Sequence, residues 1–598
     1  MLPYLKPVQN PSKKYVTAFR GLNCGEGMQD GEFADTYNLS SEQFPCITQR
    51  AARIKAKEYA NPTTLHSKGN LLVIDGTDVY YGDNKVGEVT EGKKQTATIG
   101  NYIVIFPDKK YYKVPTEDDQ DGEFGEMQAT CKVSGVSIST TSISTVTTFT
   151  RQKLHFTNST ISIITGDSKN PPFFPFKTGD AVTITRCNWE ENLKEEPIII
   201  REATETKITF DENTFSKSGT IPDGTEVTIV RKVDVKFPFR KGDAVAITGC
   251  TNEENNKAEE VIIRGVTEDE LTFDDNTFTE AVDNAEITIT RTIPDLDFIC
   301  ESNFRLWGTH DNTIYASAWS DPLNFKVFEG LASDSYSIDV GSEGEFTGCI
   351  PYSSHICFFK ENTLHKMYGS KPSNYQINTT NVYGVQSGSE RSMHIVNEQL
   401  LYKGVNGVYA YTGGVPELIS QNFGNKRYSD AVACCDGERY YISMKNGETY
   451  DLFTYDVMKN IWLREDDTHA VDMTFYKGKL YYLDAEGGLW YIDKTADRSD
   501  IEWGATFCTM HETMNERKGY SKFHLRTDLS AGAWLAVDIK TDNDQRWKQI
   551  YTTHNSKAKT ISIPIIPTRC DSIDIRLRGK GKCTLKTFIR EFTVGSDV

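Results

Sequence analysis

Seven times this 598-residue chain repeats the same local pattern: an apolar strand, a short turn of Gly, Asp, Asn or Lys, and a second strand rich in Tyr, Val or Phe. The segments are GNLLVIDGTDVYYG (69–82), NYIVIFPDKKYYKV (101–114), FRLWGTHDNTIYAS (304–317), HICFFKENTLHKMYG (355–369), QLLYKGVNGVYAYTG (399–413), ERYYISMKNGETYDLF (438–453) and KLYYLDAEGGLWYID (479–493). Each reads as an antiparallel hairpin, because a tight turn between two strand-forming runs returns the chain alongside itself. From Leu400 through Tyr440 to Leu480 the hairpins recur at intervals of forty residues, which leaves room for two further strands. That is the spacing of a four-stranded propeller blade. A lone blade has two apolar faces and exposed edges, whereas successive blades bury those faces against each other. The expectation is a β-propeller of about six to eight blades, closed between segments 66–114 and 300–493. Stacked β-sandwiches are the alternative, and they leave the interval of forty unexplained.

Between the second and third hairpins the chain contains a duplication. FFPFKTGDAVTITRC (173–187) is answered by KFPFRKGDAVAITGC (236–250), and EEPIIIREATETKITFDENTF (195–215) by EEVIIRGVTEDELTFDDNTF (259–278). Each copy supplies four or five strands around Gly-Asp and Asn turns, so two small barrel-like β domains are expected, preceded by a Ser/Thr-rich, strand-like stretch. About sixty residues bury only a modest core, so tandem packing or a neighbouring subunit would help hold each copy. The final hundred residues alternate with period two in six runs, the pattern of a two-sheet sandwich.

The expected fold class is therefore all-β: a β-propeller with inserted tandem small β-barrel-like domains and a C-terminal β-sandwich. The expected segments are 1–65, an extended assembly segment; 66–117, the first part of the propeller; 118–172, a β-rich start of the insert; 173–232 and 233–298, the two repeats; 299–500, the second part of the propeller; and 501–598, the sandwich.

Composition narrows the function. Lys and Arg number 66 against 84 Asp and Glu, a net charge of −18. The mean field repels phosphate backbones and anionic membranes, although an acidic wall can line a channel that DNA traverses without binding. MLPYLKPVQNPSKK at the start holds no apolar stretch of signal-peptide length, and no run reaches the ~18 apolar residues of a membrane span. Secretion by that route and membrane embedding are not expected. The 13 cysteines form no CxxC spacing and read as small buried hydrophobes in a reducing compartment.

HETMNE (511–516) invites a zinc reading of His511 and Glu512, but position 515 is Asn where the second His is needed. Asp180 and Asp243 sit in Lys-Thr-Gly-Asp and Arg-Lys-Gly-Asp runs and read as turn residues rather than metal or phosphate ligands. The pairs Asp211/Glu212 and Asp274/Asp275 are adjacent residues that diverge on a strand or turn, unlike the facing carboxyls of glycoside hydrolysis. No nucleophile elbow, Walker or dinucleotide glycine motif occurs. No catalytic residue, metal site or cofactor is expected. Trp189 stands alone in the acidic loop of the first copy, with Asn252 in its place in the second. Since the fold does without it there, Trp189 is the candidate interface residue.

Several stretches carry a family resemblance: FRGLNCGEGMQDGEFADTYNLSSEQFPCITQRAAR near the start, YASAWSDPLNFKVF, ENTLHKMYGSKPSNYQI, GVQSGSERSMHIVNEQLLYKGVNGVYAYTGGVPELIS, and the closing IPTRCDSIDIRLRGKGKCTLKTFIREFTVGSDV. They resemble tail structural proteins of tailed bacteriophages and prophages, in particular the propeller-containing tail tubular or nozzle proteins of short-tailed phages. The resemblance implies a non-catalytic virion component, assembled in the host cytoplasm as a ring-shaped homo-oligomer with other tail or head-to-tail proteins, forming part of a DNA ejection conduit. Its alternatives are an adhesin of the tail that binds a receptor or glycan on the host surface, with the duplicated insert as the binding arm, and a glycan depolymerase. NLSSEQFPCITQRAAR departs from the Arg-Pro-Gly ending of that family's opening, and the insert lies outside the resemblance.

Overall fold

A computed structural model describes residues 10–25, 28–117, 120–164, 173–222, 224–511, 516–542, 544–557, 559–566 and 569–595. All seven hairpins form, and each is completed into a four-stranded antiparallel sheet. The first sheet holds Pro62–Lys68, Asn70–Asp75, Asp78–Tyr81 and Asn84–Glu88; the second holds Gln95–Ile99, Tyr102–Phe106, Lys110–Lys113 and Glu123–Glu126. The third runs from Phe298–Ser302 to Tyr336–Asp339, the fourth from Phe346–Tyr352 to Gln376–Asn381, the fifth from His394–Val396 to Glu417–Leu418, and the sixth from Ser429–Cys435 to Ile461–Asp466. The seventh contains Ala470–Tyr476, Lys479–Asp484 and Gly488–Asp493, and its outer strand, Ala52–Glu58, comes from more than four hundred residues earlier.

These sheets bury both faces, which is why their strands read as near-continuous apolar runs. Leu72 and Ile74 of the first sheet meet Ile103 and Ile105 of the second, while Val73, on the opposite face, meets Leu483 and Leu489 of the seventh. Trp307 of the third packs on Phe358 of the fourth, Phe359 of the fourth on Tyr402 of the fifth, Leu401 of the fifth with Ile442 of the sixth, and Tyr441 of the sixth with Met473 of the seventh. Val104 and Phe106 of the second sheet meet Ile299 and Leu306 of the third, so each sheet packs on the next in chain order and the seventh on the first.

The expected fold class is corrected on closure. Among the described residues every sheet is an open path with two edges, and none is closed into a barrel or strongly curled. The propeller with barrel-like inserts is replaced by an all-β, sheet-rich chain of open sheets packed face to face. Arg391, between the fourth and fifth sheets in the chain, bridges to the first and seventh sheets and to the entry of the second, donating through Nη1 to the carbonyls of Thr63 (3.0 Å) and Val471 (3.1 Å) and through Nη2 to that of Lys94 (2.9 Å). Its guanidinium also lies 3.2 Å from the Asp472 carboxylate.

The insert differs from a simple tandem. Val146–Arg151 pairs with Val227–Lys232 in the first repeat, whereas Ala129–Ile138, earlier in the chain, pairs with Ala281–Arg291 in the second. The second repeat is therefore split, and the first is nested inside it. The Ser/Thr-rich stretch supplies the opening strands of both repeats, with matching contacts: Phe210 N–H donates to Ser159 O in one copy and Phe273 N–H to Thr141 O in the other. Buried Asn192 and Asn255 likewise donate to Lys217 O and Thr279 O.

One buried ion pair docks each repeat. In the first, Arg231 Nη1 meets Asp180 at 2.6 Å, and its other amino group donates to Gly135 O of the second repeat at 2.7 Å. In the second, Arg291 pairs with Asp243 and donates to Met127 O. Asp243 also accepts from Asn324 of the body at 3.1 Å. The same device thus fastens the first repeat to the second and the second to the body.

Near the chain's end two sheets face each other over a core that includes Phe33, Phe507, Phe523, Leu535, Leu577 and Phe588. Each sheet recruits an N-terminal strand: Ser12–Val16 joins Cys583–Gly595, and Glu32–Tyr37 joins Glu502–Phe507.

Candidate functional site

The third sheet carries an arrangement that core packing does not explain. Its first hairpin turns through Asn303 and Phe304, both at positive φ (53° and 59°). Two successive left-handed residues suit Asn-Gly, so a Phe at the second position is strained. Phe304 is 60% exposed and packs edge-on against Trp319, which is 55% exposed, with ring centroids 5.9 Å apart. Phe328 and Leu331, on the same 317–335 loop as Trp319, are comparably exposed.

The loop beneath these side chains is firmly held. Arg305, the residue after Phe304, is fully buried; Nη1 donates to Ser317 O (2.7 Å) and Asp334 O, and Nη2 to Ala332 O (2.6 Å). Burial pushes the guanidinium below its ordinary pKa, and the three carbonyls compensate the buried cation. Buried Asp334 accepts from the backbone N–H groups of Glu329 (2.6 Å), Gly330 (2.6 Å) and Leu331 (3.0 Å). Trp319 N–H closes the loop on Ser333 O at 2.8 Å. The other side of the loop grips the second repeat through Arg240–Asp321 (3.0 Å), Arg264–Glu329 and Lys326–Glu260. The result is a rigid, solvent-facing aromatic cluster at the foot of the insert.

The residues singled out in the sequence lie elsewhere. Trp189 is half-buried on its own repeat: its ring lies 6.0 Å from that of Phe156, Lys217 sits over it at 5.4 Å, and the Gly219 backbone passes close by. Asn252, its counterpart, accepts from Glu254 N–H instead. Asp180 and Asp243 are committed to Arg231 and Arg291. Asp211 and Asp274 each take a two-pronged bond from Arg201 or Arg264, which holds both carboxyls below the usual range. Burial pushes the Cys187 thiol up, and that of Cys250 to about 11. His511 is described, but Glu512 lies outside the described residues. Among the described residues no group of three or more His, Cys, Asp or Glu side chains converges as metal ligands do, and no helix is long and apolar enough to cross a membrane.

Phe304, Trp319, Arg305 and Asp334 went unnoticed in the sequence. The available signal was Asn-Phe at a hairpin tip where Asn-Gly is the favoured pair.

No protein-family model and no curated protein matches this chain. Solved structures that resemble it include BamB from Moraxella catarrhalis (9% identity, 75% of this chain and 98% of that one, TM-score 0.31). Others are an exo-β-1,3-galactanase from Phanerochaete chrysosporium (9%, 48% and 92%, TM-score 0.19) and the extracellular domain of a putative one-component system from B. thetaiotaomicron (9%, 93% and 95%, TM-score 0.20). Likenesses this distant carry no functional argument. The resemblance to phage tail proteins is corrected: the propeller it implies is not borne out, since among the described residues no sheet is closed into a barrel or strongly curled. The tail-nozzle function is overturned with it, since among the described residues no closed, channel-forming barrel or propeller is present to make a DNA-ejection conduit.

Proposed function

We propose that this chain is a non-catalytic docking scaffold that holds a protein partner at the foot of its insert. The observation carrying this reading is the exposed Phe304–Trp319 pair on a loop immobilised by buried Arg305 and Asp334. Aromatic side chains already fixed in their bound geometry lose little entropy on association, and such residues dominate binding energy at interfaces. Exposing them on a strained turn costs the free protein stability, which contact with a partner would offset. Acting without catalysis is part of the proposal.

A photo-crosslinking amino acid at position 319, with the still more exposed position 415 as a control, identifies the partner in the producing cell. Binding of the purified pair is then measured for Phe304→Ala and Trp319→Ala, with folding checked by circular dichroism. The expected loss is about 2 kcal/mol or more for each, roughly thirty-fold in Kd. Unchanged affinity in both folded variants rejects the site.

A further inference from the structure

The net charge of −18 hides a strong polarity along the chain. Residues 517–598 hold 16 Lys and Arg against 8 Asp and Glu, a net +8, which leaves −26 on residues 1–516. Part of that positive charge is organised on the outer face of one C-terminal sheet. In strand Ile573–Lys580 the apolar residues point to the core, while Arg576, Arg578 and Lys580 point outward. Neighbouring Trp534–Thr541 sets Asp538 opposite Arg576 and Ala536 opposite Arg578.

Asp538 is buried and accepts from both arginines, from Arg576 Nη2 at 2.8 Å and Arg578 Nε at 2.8 Å. One carboxylate held by two guanidinium groups leaves a surplus positive charge, while Lys540 and Lys580 are paired with Asp574 (3.6 Å) and Asp500 (3.3 Å). Arg578 is further positioned by Gln549 Oε1 at 2.8 Å. The Arg576 guanidinium lies over the Trp547 ring at 4.6 Å with the Lys540 ammonium at 5.4 Å, and Arg578 lies over Trp534 at 6.0 Å. Both arginine side chains stay about one-third or more exposed. Pinned guanidinium planes flanked by tryptophan form a preorganised surface for carboxylates, since the fork geometry is already set and little side-chain entropy is left to lose.

We propose that this Trp–Arg face, Trp534, Trp547, Lys540, Arg576 and Arg578, docks on the acidic body of a second copy of this chain. Charge complementarity selects that occupant: the remainder of the same molecule carries −26 against the +8 of the C-terminal segment, so two copies attract head to tail even though their net charges repel. The contact joins different surfaces on the two copies, so repetition closes a ring or extends a filament. This inference does not depend on the aromatic cluster around Trp319.

Mass photometry and analytical ultracentrifugation of the full chain, from about 50 to about 500 mM salt, test the proposal. The expected result is self-association that weakens as salt rises. Trp547→Ala and Lys540→Glu, which leave both arginines on Asp538, should weaken it by about tenfold or more, and an Arg576→Gln/Arg578→Gln double variant should abolish it. Trp319→Ala should have no effect. A single-copy mass for the wild type under all conditions overturns the proposal, as does association that none of the face variants changes. Fluorescent single- or double-stranded DNA and inorganic phosphate serve as competing probes. Capture of either by the wild type but not by the variants, without self-association, assigns the face to phosphate and also overturns it.

Discussion

Arg231 of the first repeat donates to the backbone carbonyl of Gly135 in the second at 2.7 Å, and this bond sits where the second repeat's long strand bulges. Gly135 adopts φ +73°, and a Cβ there would lie 2.9 Å from the Arg231 guanidinium carbon. Gly135→Ala thus adds backbone strain and displaces the docking bond together. A loss of about 1–3 kcal/mol is expected. Hydrogen exchange should rise along Val146–Arg151 and Val227–Lys232 more than in the seven body sheets; uniform exchange across the chain contradicts the docking role.

Arg391 is the second test position. Arg391→Met removes the cation from Asp472, whose pKa burial already raises, and leaves the carbonyls of Thr63, Lys94 and Val471 without their donor. Breaking a buried pair by removing one partner typically costs about 3–5 kcal/mol. The thermal midpoint should fall sharply. An Asp472→Asn/Arg391→Met double variant should recover part of the loss, because the stranded carboxylate is gone.

Acid sensitivity follows from His365. It is buried, its ring nitrogens lie 2.8 Å from Ser342 Oγ and 2.9 Å from Thr379 Oγ1, and burial, with Lys360 nearby, lowers its pKa to about 4. The unfolded chain binds the proton first, near pH 6.5. This contribution is therefore complete above about pH 6.5 and is lost as pH falls toward about 4, at up to roughly 1.4 kcal/mol per pH unit. Urea denaturation across that window should show stability falling with pH, and His365→Gln should flatten the slope.

Arg305 separates a held loop from exposed residues that merely happen to be aromatic. Arg305→Lys keeps the charge but lacks the fork that reaches Ser317, Ala332 and Asp334 together. Protection of amides in 317–335 should drop, at a stability cost of about 1–3 kcal/mol. Partner affinity should fall even though Phe304 and Trp319 are intact. Undiminished affinity with a mobile loop would falsify preorganisation as the source of binding.

The local pattern of this chain determined its hairpins and its duplication. Val73 alternates with Leu72 and Ile74 because strand side chains alternate faces, and turns such as Asp75-Gly76 return the chain without help from distant residues. The all-β character was legible for the same reason. Tertiary structure alone decided which edges are joined across hundreds of residues: Ala52–Glu58 onto Gly488–Asp493, Ser12–Val16 onto Cys583–Gly595, and Ala129–Ile138 onto Ala281–Arg291 with a whole repeat nested between. Backbone hydrogen bonds at an open edge carry no residue code, so alternation predicts a strand and its faces but not its neighbour. The open sheets, the Arg391 bridge and the exposure of Trp319 depend on that choice of neighbours, since a side chain is buried or left in water only by what packs against it.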